Sequence, residues 1–457
     1  MSSCGILHFG AYVPRLRLER AAIAEATGWA AGLRGGKPKG SRSYCAWDED
    51  SLTMAVEAAR DCLASRNRSE VAALTFASTT HPFADRSNAG VVAEALDLQN
   101  TLRTSDSAGH QRAGVTAMLD AVRTARSGAG NTLVVAAESR AAKPASEQES
   151  RFGHGAAAVL IGPGPDLAAE WVGDVSLRAD FVDHFRPADA GTDYAYEERW
   201  VRDEGYLALM PQAIKAALGS IETASVRHLV VQGPQRFATA VAKASGIAAA
   251  AVVDDLHDEC GDTGVAHPLL LLGAALERAQ AGDLIVVASF GQGCDAIVLR
   301  ATGRKASPGR GCAGAIASGA PNREYLRFLS NSGIVTIEWG MRAERDNRTA
   351  QPAAWRRHRD VTAFVGGRCT KCGTVQYPRA RACVNPACRE FDTQVPEPLA
   401  EKAGRIKTFT EDWLAVTRSP PHVYGNVEIE GGGNVFIEFT DTRPGESSVG
   451  LPVRFVF

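Results

Sequence analysis

The 457-residue sequence predicts a layered α/β domain that is duplicated within itself, followed by a short cysteine-paired segment and a small all-β segment. Three observations carry this. Buried-type strands alternate with helices over the first 300 residues. A unit of polar elbow, apolar helix, strand, glycine turn and strand occurs around residues 105 to 162 and again around 258 to 301. Beyond residue 400 the periodicity changes to short alternating strands with glycine turns.

In chain order, GILHFGAY (5–12) is a short apolar strand, and the Gly-, Lys- and Ser-rich residues 34–51 read as a surface loop. SLTMAVEAARDCLA (51–64) has helical apolar spacing, VAALTFA (71–77) is a buried strand, and AGVVAEALDL (89–98) is a helix. The stretch SDSAGHQRAGVTAM (105–118) is the first elbow. Gly109 suits its sharp turn, and Ala113, Met118, Leu119, Val122 and Ala125 make the following helix apolar on too many sides for a surface position. NTLVVAAES and GHGAAAVLIG are the next buried strands. The second half runs as helix 206–218, strand 228–232, helix 235–245, the elbow HDECGDTGVAHP (257–268), an apolar helix to Ala279, and strands 284–290 and 294–301. The two elbows are expected to meet near a pseudo-twofold axis, where converging polar groups make an active-site candidate.

Composition narrows the partners. A formal net charge of -2 argues against a polyanion as main partner, so nucleic acid is not expected. No apolar run is long enough for a membrane span and the N-terminus lacks a signal-peptide layout, which predicts a cytoplasmic chain without a membrane partner. Residues 303–360 read as linker and docking helix. Cys369-x2-Cys372 and Cys383-x4-Cys388, on turn-rich knuckles, have the spacing of a closed four-thiolate site for structural zinc. Residues 399–457, with strands GRIKTFT, VYGNVEIE, NVFIEFTD and VGLPVRFVF, suit an OB-like barrel without a dense basic or aromatic pattern for oligonucleotides.

DEDSLTMAVEAAR, QRAGVTAM, SRFGHGAAAVLIG, GDTGVAHPLLLLGAALERAQAGD and ASFGQGCDAIVL together resemble the thiolase superfamily, in its 3-hydroxy-3-methylglutaryl-CoA synthase and ketoacyl synthase III-like branch, over residues 1–302. The ribbon (361–398) and barrel resemble the DUF35 family, whose members partner thiolase-like subunits. The resemblance implies a coenzyme A thioester substrate, a homodimer and a role beside other acyl-CoA enzymes. It also exposes departures. The family's nucleophilic cysteine falls at Gln111, or at His110 with a one-residue slip. Its second-half histidine falls at Gln232, its asparagine at Asp262 and its acid/base glutamate near Thr80. The remaining candidates for acid/base work are Asp262, His267 and His110, with Gly291 to Gly293 as an oxyanion turn. The resulting expectation is C–C bond making or breaking beside the thioester carbonyl, of aldol, retro-aldol or decarboxylative type, with no cysteine at the usual position. The alternatives are a condensing acyltransferase using Cys260, and a non-catalytic scaffold subunit.

Overall fold

The computed structural model describes residues 3–31, 38–64, 66–339 and 350–457. The chain divides into two compact units, 1–93 with 98–335, and 94–97 with 336–457.

In the first unit nine strands among the described residues join one ladder: β1 (Cys4–Tyr12), β2 (Val71–Ala77), β3 (Arg103–Ser107), β4 (Asn131–Glu138), β5 (Gly155–Pro163), β6 (Ala169–Arg178), β7 (Val226–Val231), β8 (Leu284–Phe290) and β9 (Gly293–Ala301). Their order is β7-β8-β9-β6-β1-β5-β4-β2-β3. The duplication is written in this order. On one side β1 pairs antiparallel with β5, β5 antiparallel with β4, and β4 parallel with β2. On the other, β6, β9, β8 and β7 repeat the same sequence of pairings. The two half-sheets are laddered to each other through Gly5 with Glu170 and Ile6 with Ala169.

Helices α1 (Ser51–Leu63), α2 (Ala113–Arg126), α3 (Leu207–Leu218) and α4 (His267–Arg278) supply the layers. Asp50 caps α1 by accepting from the Leu52 and Thr53 backbone N–H groups, both at 2.8 Å. Helix α4 is buried from His267 to Leu276 and α2 over its first two turns, and the two share one core with β1, β4, β5 and β8. They form the middle layer, and α2 reaches solvent only past it, through Asp120, Arg123 and Arg126. Small residues make that layer possible. A Cβ on Gly273 would lie 1.9 Å from the Phe9 ring, and one on Gly114 would lie 2.7 Å from the Val265 carbonyl oxygen.

Several segments differ from the sequence expectation. Residues 41–43 form a strand, and Arg42, Ser43 and Tyr44 are buried, so this part of the expected surface loop belongs to the interior; residues 34–37 of that loop lie outside the described residues. Strand β6 alternates too weakly to be recognised, and β3 is an exposed polar edge strand running into the first elbow. The glycine-rich stretch after residue 302 is built into the first unit. Ala306 accepts from the Phe9 N–H, and the helix Gly311–Ala317 starts on the Asp61 and Glu277 carboxylates. The helix Tyr325–Asn331 buries Phe328 and Leu329 against Leu18 and Tyr44 while Leu326 points outward.

The second unit holds a three-stranded sheet, β10 (Val365–Cys369), β11 (Val375–Gln376) and β12 (Gln394–Pro398), in order β11-β10-β12. After it β13 (Ala403–Asp412), β14 (His422–Ile429), β15 (Asn434–Glu438) and β16 (Pro452–Arg454) form an antiparallel sheet, β15-β14-β13-β16. A register shift at Ile406/Thr408 helps curl it into an OB-like half-barrel.

The close approach at Gly273 is testable. Gly273→Ala should lower stability by about 1–3 kcal/mol through overpacking against Phe9, read as a lower urea midpoint, whereas the equivalent change at Gly28, where the added methyl meets nothing, should cost far less.

Candidate active site

The first elbow leaves β3, turns at Gly109 (φ +94°) and enters α2. Two successive side chains then part company. Arg112 turns inward, donating from Nη1 to Asp295 at 2.7 Å and from Nε to the Gly291 carbonyl at 2.8 Å, and so locks the elbow to the glycine turn before β9. Gln111 faces a cavity, its Nε2 3.4 Å from the Thr79 hydroxyl. The second elbow is shaped by Gly261 and Gly264, both at positive φ, and by the Gly264 N–H donating to Asp262 Oδ1 at 2.8 Å. The elbows do meet. A Cβ on Gly264 would lie 2.6 Å from Glu138 Cγ, 3.0 Å from Gln111 Oε1 and 3.1 Å from Arg140 Nε.

Arg140, two residues past the end of β4, is the hub. Only 5% of its side chain is exposed; Nη2 lies 3.4 Å from Asp262 Oδ1 and Nη1 lies 3.8 Å from Asp193 Oδ2. Its guanidinium sits 3.8 Å over the Phe152 ring, and its carbonyl is 3.2 Å from His154 Nε2. His154 accepts the Cys45 N–H through its other nitrogen, and burial holds the ring neutral at about 3, so it is a structural histidine.

Two adjoining cavities, of about 290 and 450 Å³, share Gln111, Asp183, His184 and Asp193. The first has an aromatic wall of Phe152, Tyr206, Phe237 and Phe290; the second is lined by Ser78, Thr79, His81, Phe83 and His110. Around them Arg140 Nε and Nη2, Gln111 Oε1, Asp193 Oδ2 and His110 Nδ1 are buried without a hydrogen-bond partner. Native interiors rarely leave such atoms orphaned, and five converging on one place mark where a polar ligand would bind.

The residues singled out from the sequence land as follows. Asp262 and Gln232 line the first cavity, Gln111 lines both, and His110 and Gly291 line the second. Burial pushes the Asp262 carboxyl up, but Arg140, His267 and the Gly264 N–H outweigh it and hold the group at about 2. Gln232 is fixed at both ends, its Nε2 donating to the Gly264 carbonyl at 3.1 Å and its Oε1 accepting from Ser289 at 2.7 Å. Burial and Arg112 lower the His110 ring. His267 is 1% exposed, outside both cavities, with Nδ1 3.3 Å from the Thr263 N–H and hydroxyl. Thr80 likewise lines neither; its hydroxyl donates to Glu138 Oε1 at 2.6 Å. The Gly291 N–H is spent inside its own turn on the Gly293 carbonyl, and Gly293 is laddered opposite Arg178. Cys260 is fully buried, donates weakly to backbone carbonyls, and burial drives its thiol up to about 12, which is the opposite of what a nucleophile needs. Among the described residues no cysteine lines either cavity.

Sequence reasoning missed Arg140, Glu138, Asp193 and the pair Asp183–His184. The signal available was the run DFVDHFRPADAGTDYAYEERW (180–200), dense in acids, arginines and aromatics, which reads locally as a solvated loop.

In the second unit the sulfurs of Cys369, Cys372, Cys383 and Cys388 lie within 4.8 Å of one another. The closest pairs are 3.6 Å (Cys372, Cys383) and 3.9 Å (Cys369, Cys388), against about 3.8 Å for a tetrahedron with 2.3 Å Zn–S bonds. The four-sulfur donor set and its dimensions fit zinc.

Comparison with known proteins agrees with this geometry. Residues 219–301 match the family model of the C-terminal region of 3-oxoacyl-[acyl-carrier-protein] synthase III, and residues 359–394 match that of the rubredoxin-like zinc ribbon of ChsH2. The chain is 30% identical to the hydroxymethylglutaryl-CoA synthase of Aeropyrum pernix over 299 residues, covering 64% of this chain and 82% of that protein. It is also 30% identical to that of Archaeoglobus fulgidus, over 65% and 89%. Among solved structures, MvaS in complex with 3-hydroxy-3-methylglutaryl coenzyme A superposes with a TM-score of 0.60 at 21% identity, over 72% of this chain and 92% of that one. FabH from Pseudomonas aeruginosa gives 0.57 at 22%, over 65% and 98%. A duplicated layered α/β unit with two elbows meeting between its halves is a thiolase-superfamily domain. Within that class the chain belongs to the hydroxymethylglutaryl-CoA synthase family, and it carries a ChsH2-type zinc ribbon on the same polypeptide.

Three outcomes follow from the site. Arg140→Met leaves Asp193 and Asp262 without their shared cation, and the urea-derived stability should fall by about 3 kcal/mol. Because the folded Asp262 carboxyl titrates below its unfolded value of about 3.9, its ionisation stabilises the fold fully above that pH and the benefit, on the order of 2 kcal/mol, is lost as pH falls towards 2. The stability of Asp262→Asn should therefore fall less steeply than wild type between pH 4 and 2. Elemental analysis should find one zinc per chain, lost in Cys369→Ser together with protease resistance of residues 359–457.

Proposed function

We propose that the chain acts on a coenzyme A thioester and makes or breaks the carbon–carbon bond beside the thioester carbonyl without forming an acyl-enzyme. The observation that carries this reading is the lining of the two cavities: a glutamine at the elbow, no cysteine among the described residues, and a buried arginine with unsatisfied N–H groups. A carboxamide cannot attack a thioester, which removes covalent acyl transfer from Gln111. Aldol, retro-aldol and decarboxylative chemistry need no such attack. Each passes through an enolate whose charge rests on the thioester oxygen, and the Arg140 N–H groups are the donors best placed to receive it. In a low-dielectric pocket such donors act chiefly on the transition state, because the charge exists only there. The aromatic wall suits an apolar acyl chain or its departing fragment.

The relatives' activity, as hydroxymethylglutaryl-CoA synthases, supports a thioester substrate and C–C chemistry. The same reading takes the zinc as structural, since four thiolates leave no open coordination position, and takes the protein as a cytoplasmic homodimer by kinship. No helix among the described residues is long and apolar enough to cross a membrane.

The test is mass spectrometry of protein and small molecules after incubation with β-hydroxyacyl-, β-ketoacyl- and simple acyl-CoA esters. Chain scission, condensation or carbon dioxide loss with unmodified protein is the expected result. An acyl mass on the protein would return covalent catalysis to consideration, and complete inertness would leave a scaffold role for the thiolase-like unit.

A further inference from the structure

We infer that the acid/base of this site is His184, oriented by Asp183, and that it is delivered by the loop that folds over the cavities instead of by either elbow. The inference rests on the thioester C–C chemistry proposed above. His184 Nδ1 lies 2.7 Å from Asp183 Oδ2, so with Nδ1–H donating to the carboxylate the ring is held in the tautomer that leaves Nε2 as the basic nitrogen. Nε2 has no partner among the described residues, and the imidazole, 22% exposed, stands in the wall common to both cavities beside Gln111.

The loop holds the dyad firmly. His184 and Phe185 pair with Ala195 and Tyr194 in a two-stranded hairpin. Arg186 donates to the Thr79 carbonyl and, at 3.0 Å, to Asp193, which also faces Arg140. Upstream, Phe181 stacks on Trp200 with ring centroids 4.0 Å apart. A hydrogen-bonded histidine–carboxylate pair on a braced hairpin, with one ring nitrogen open to a cavity lined by orphaned donors, has the layout of a general base.

The other titratable groups nearby serve less well. Asp262 is held ionised by Arg140 and is a feeble base; His267 is sealed away from both cavities. His110 has the Arg112 cation for a neighbour and no carboxylate within bonding distance among the described residues. On a β-hydroxyacyl thioester, His184 Nε2 would accept the hydroxyl proton. The Cα–Cβ bond breaks, its electron pair enters the thioester as the enolate, and the β-carbon leaves as an aldehyde or ketone. The imidazolium then returns the same proton to Cα, so the step needs no co-reactant. By microscopic reversibility the same nitrogen removes an α-proton from a simple acyl-CoA.

The experiment compares the full-length wild type with His184→Ala, His184→Asn, Asp183→Asn and Asp183→Glu. It reads product formation from the β-hydroxyacyl-CoA panel and deuterium uptake at Cα of butyryl-CoA in D2O, with circular dichroism and thermal unfolding as controls for folding. Both His184 variants should lose at least ~100-fold in kcat and in exchange, with KM within threefold, and imidazole should restore part of the rate to His184→Ala. Asp183→Asn should lose ~10-fold or more in kcat, which Asp183→Glu recovers in part. Wild-type rates in a folded His184 variant, or a loss that appears in KM and ignores imidazole, would overturn the dyad while leaving the thioester chemistry standing. A wild type that neither exchanges nor cleaves any thioester would overturn the function itself, and the dyad with it.

Discussion

A single buried guanidinium organises the candidate site. Arg140 projects from just beyond the end of β4 and faces Asp262 of the second elbow and Asp193 of the covering loop, with Phe152 beneath it. Three stretches far apart in sequence therefore meet at one cation, with Arg186 as a second cation on Asp193 at 3.0 Å. Removing a charge from water costs several kcal/mol, and the cost is recovered only when its partners are present and correctly placed. The elbows and the loop are consequently positioned together. Its Nε and Nη2 are buried without a hydrogen-bond partner in a residue that also lines the first cavity.

The chemistry of the site follows from what the middle layer excludes. Gly114 brings α2 close to Val265 and Leu269 at the start of α4, Gly273 seats α4 on Phe9, and the interior around them is tightly packed. In such surroundings a thiol is held neutral. Cys45, Cys62, Cys260 and Cys294 are all driven up by burial, which suits them to packing. A carboxylate with a cation beside it stays charged in the same interior, as Asp262 does. The elbows thus provide electrostatic positioning, while a base with one free nitrogen stands on the covering hairpin.

The second unit meets a different constraint. Its core is small, with Val375, Leu399, Val427, Ile429 and Val435 as the buried cluster shared by ribbon and half-barrel. Gly431, Gly432 and Gly433, all at positive φ, let the β14–β15 turn lie against Val375 and Gln376. So little apolar burial stabilises a fold weakly, and a metal held by the four clustered sulfurs would add the cross-link the core lacks.

The layered fold, its duplication, the zinc knuckles and the four C-terminal strands were legible in the sequence, because each rests on local periodicity or short spacing. VAALTFA, LIVVASF and the CxxC pair announce themselves within a few residues. The elbows were legible as elbows, with Gln111, Gln232 and Asp262 singled out on or beside them; the three line one cavity. Their roles were not. His267 and Cys260 sit close to Asp262 in sequence yet lie outside both cavities, because Cys260 is packed into the elbow's first turn against the Leu256 carbonyl and His267 is held at the start of α4 by Thr263. Arg140, Asp193 and the Asp183–His184 pair carry no local signature, since a charge in a loop reads the same whether solvent or a buried partner lies across from it. The sequence by itself determined the layers, the repeat and the four clustered cysteines. Only the tertiary structure decided which polar groups share one cavity, because burial and long-range charge pairing exist only after distant segments have come together.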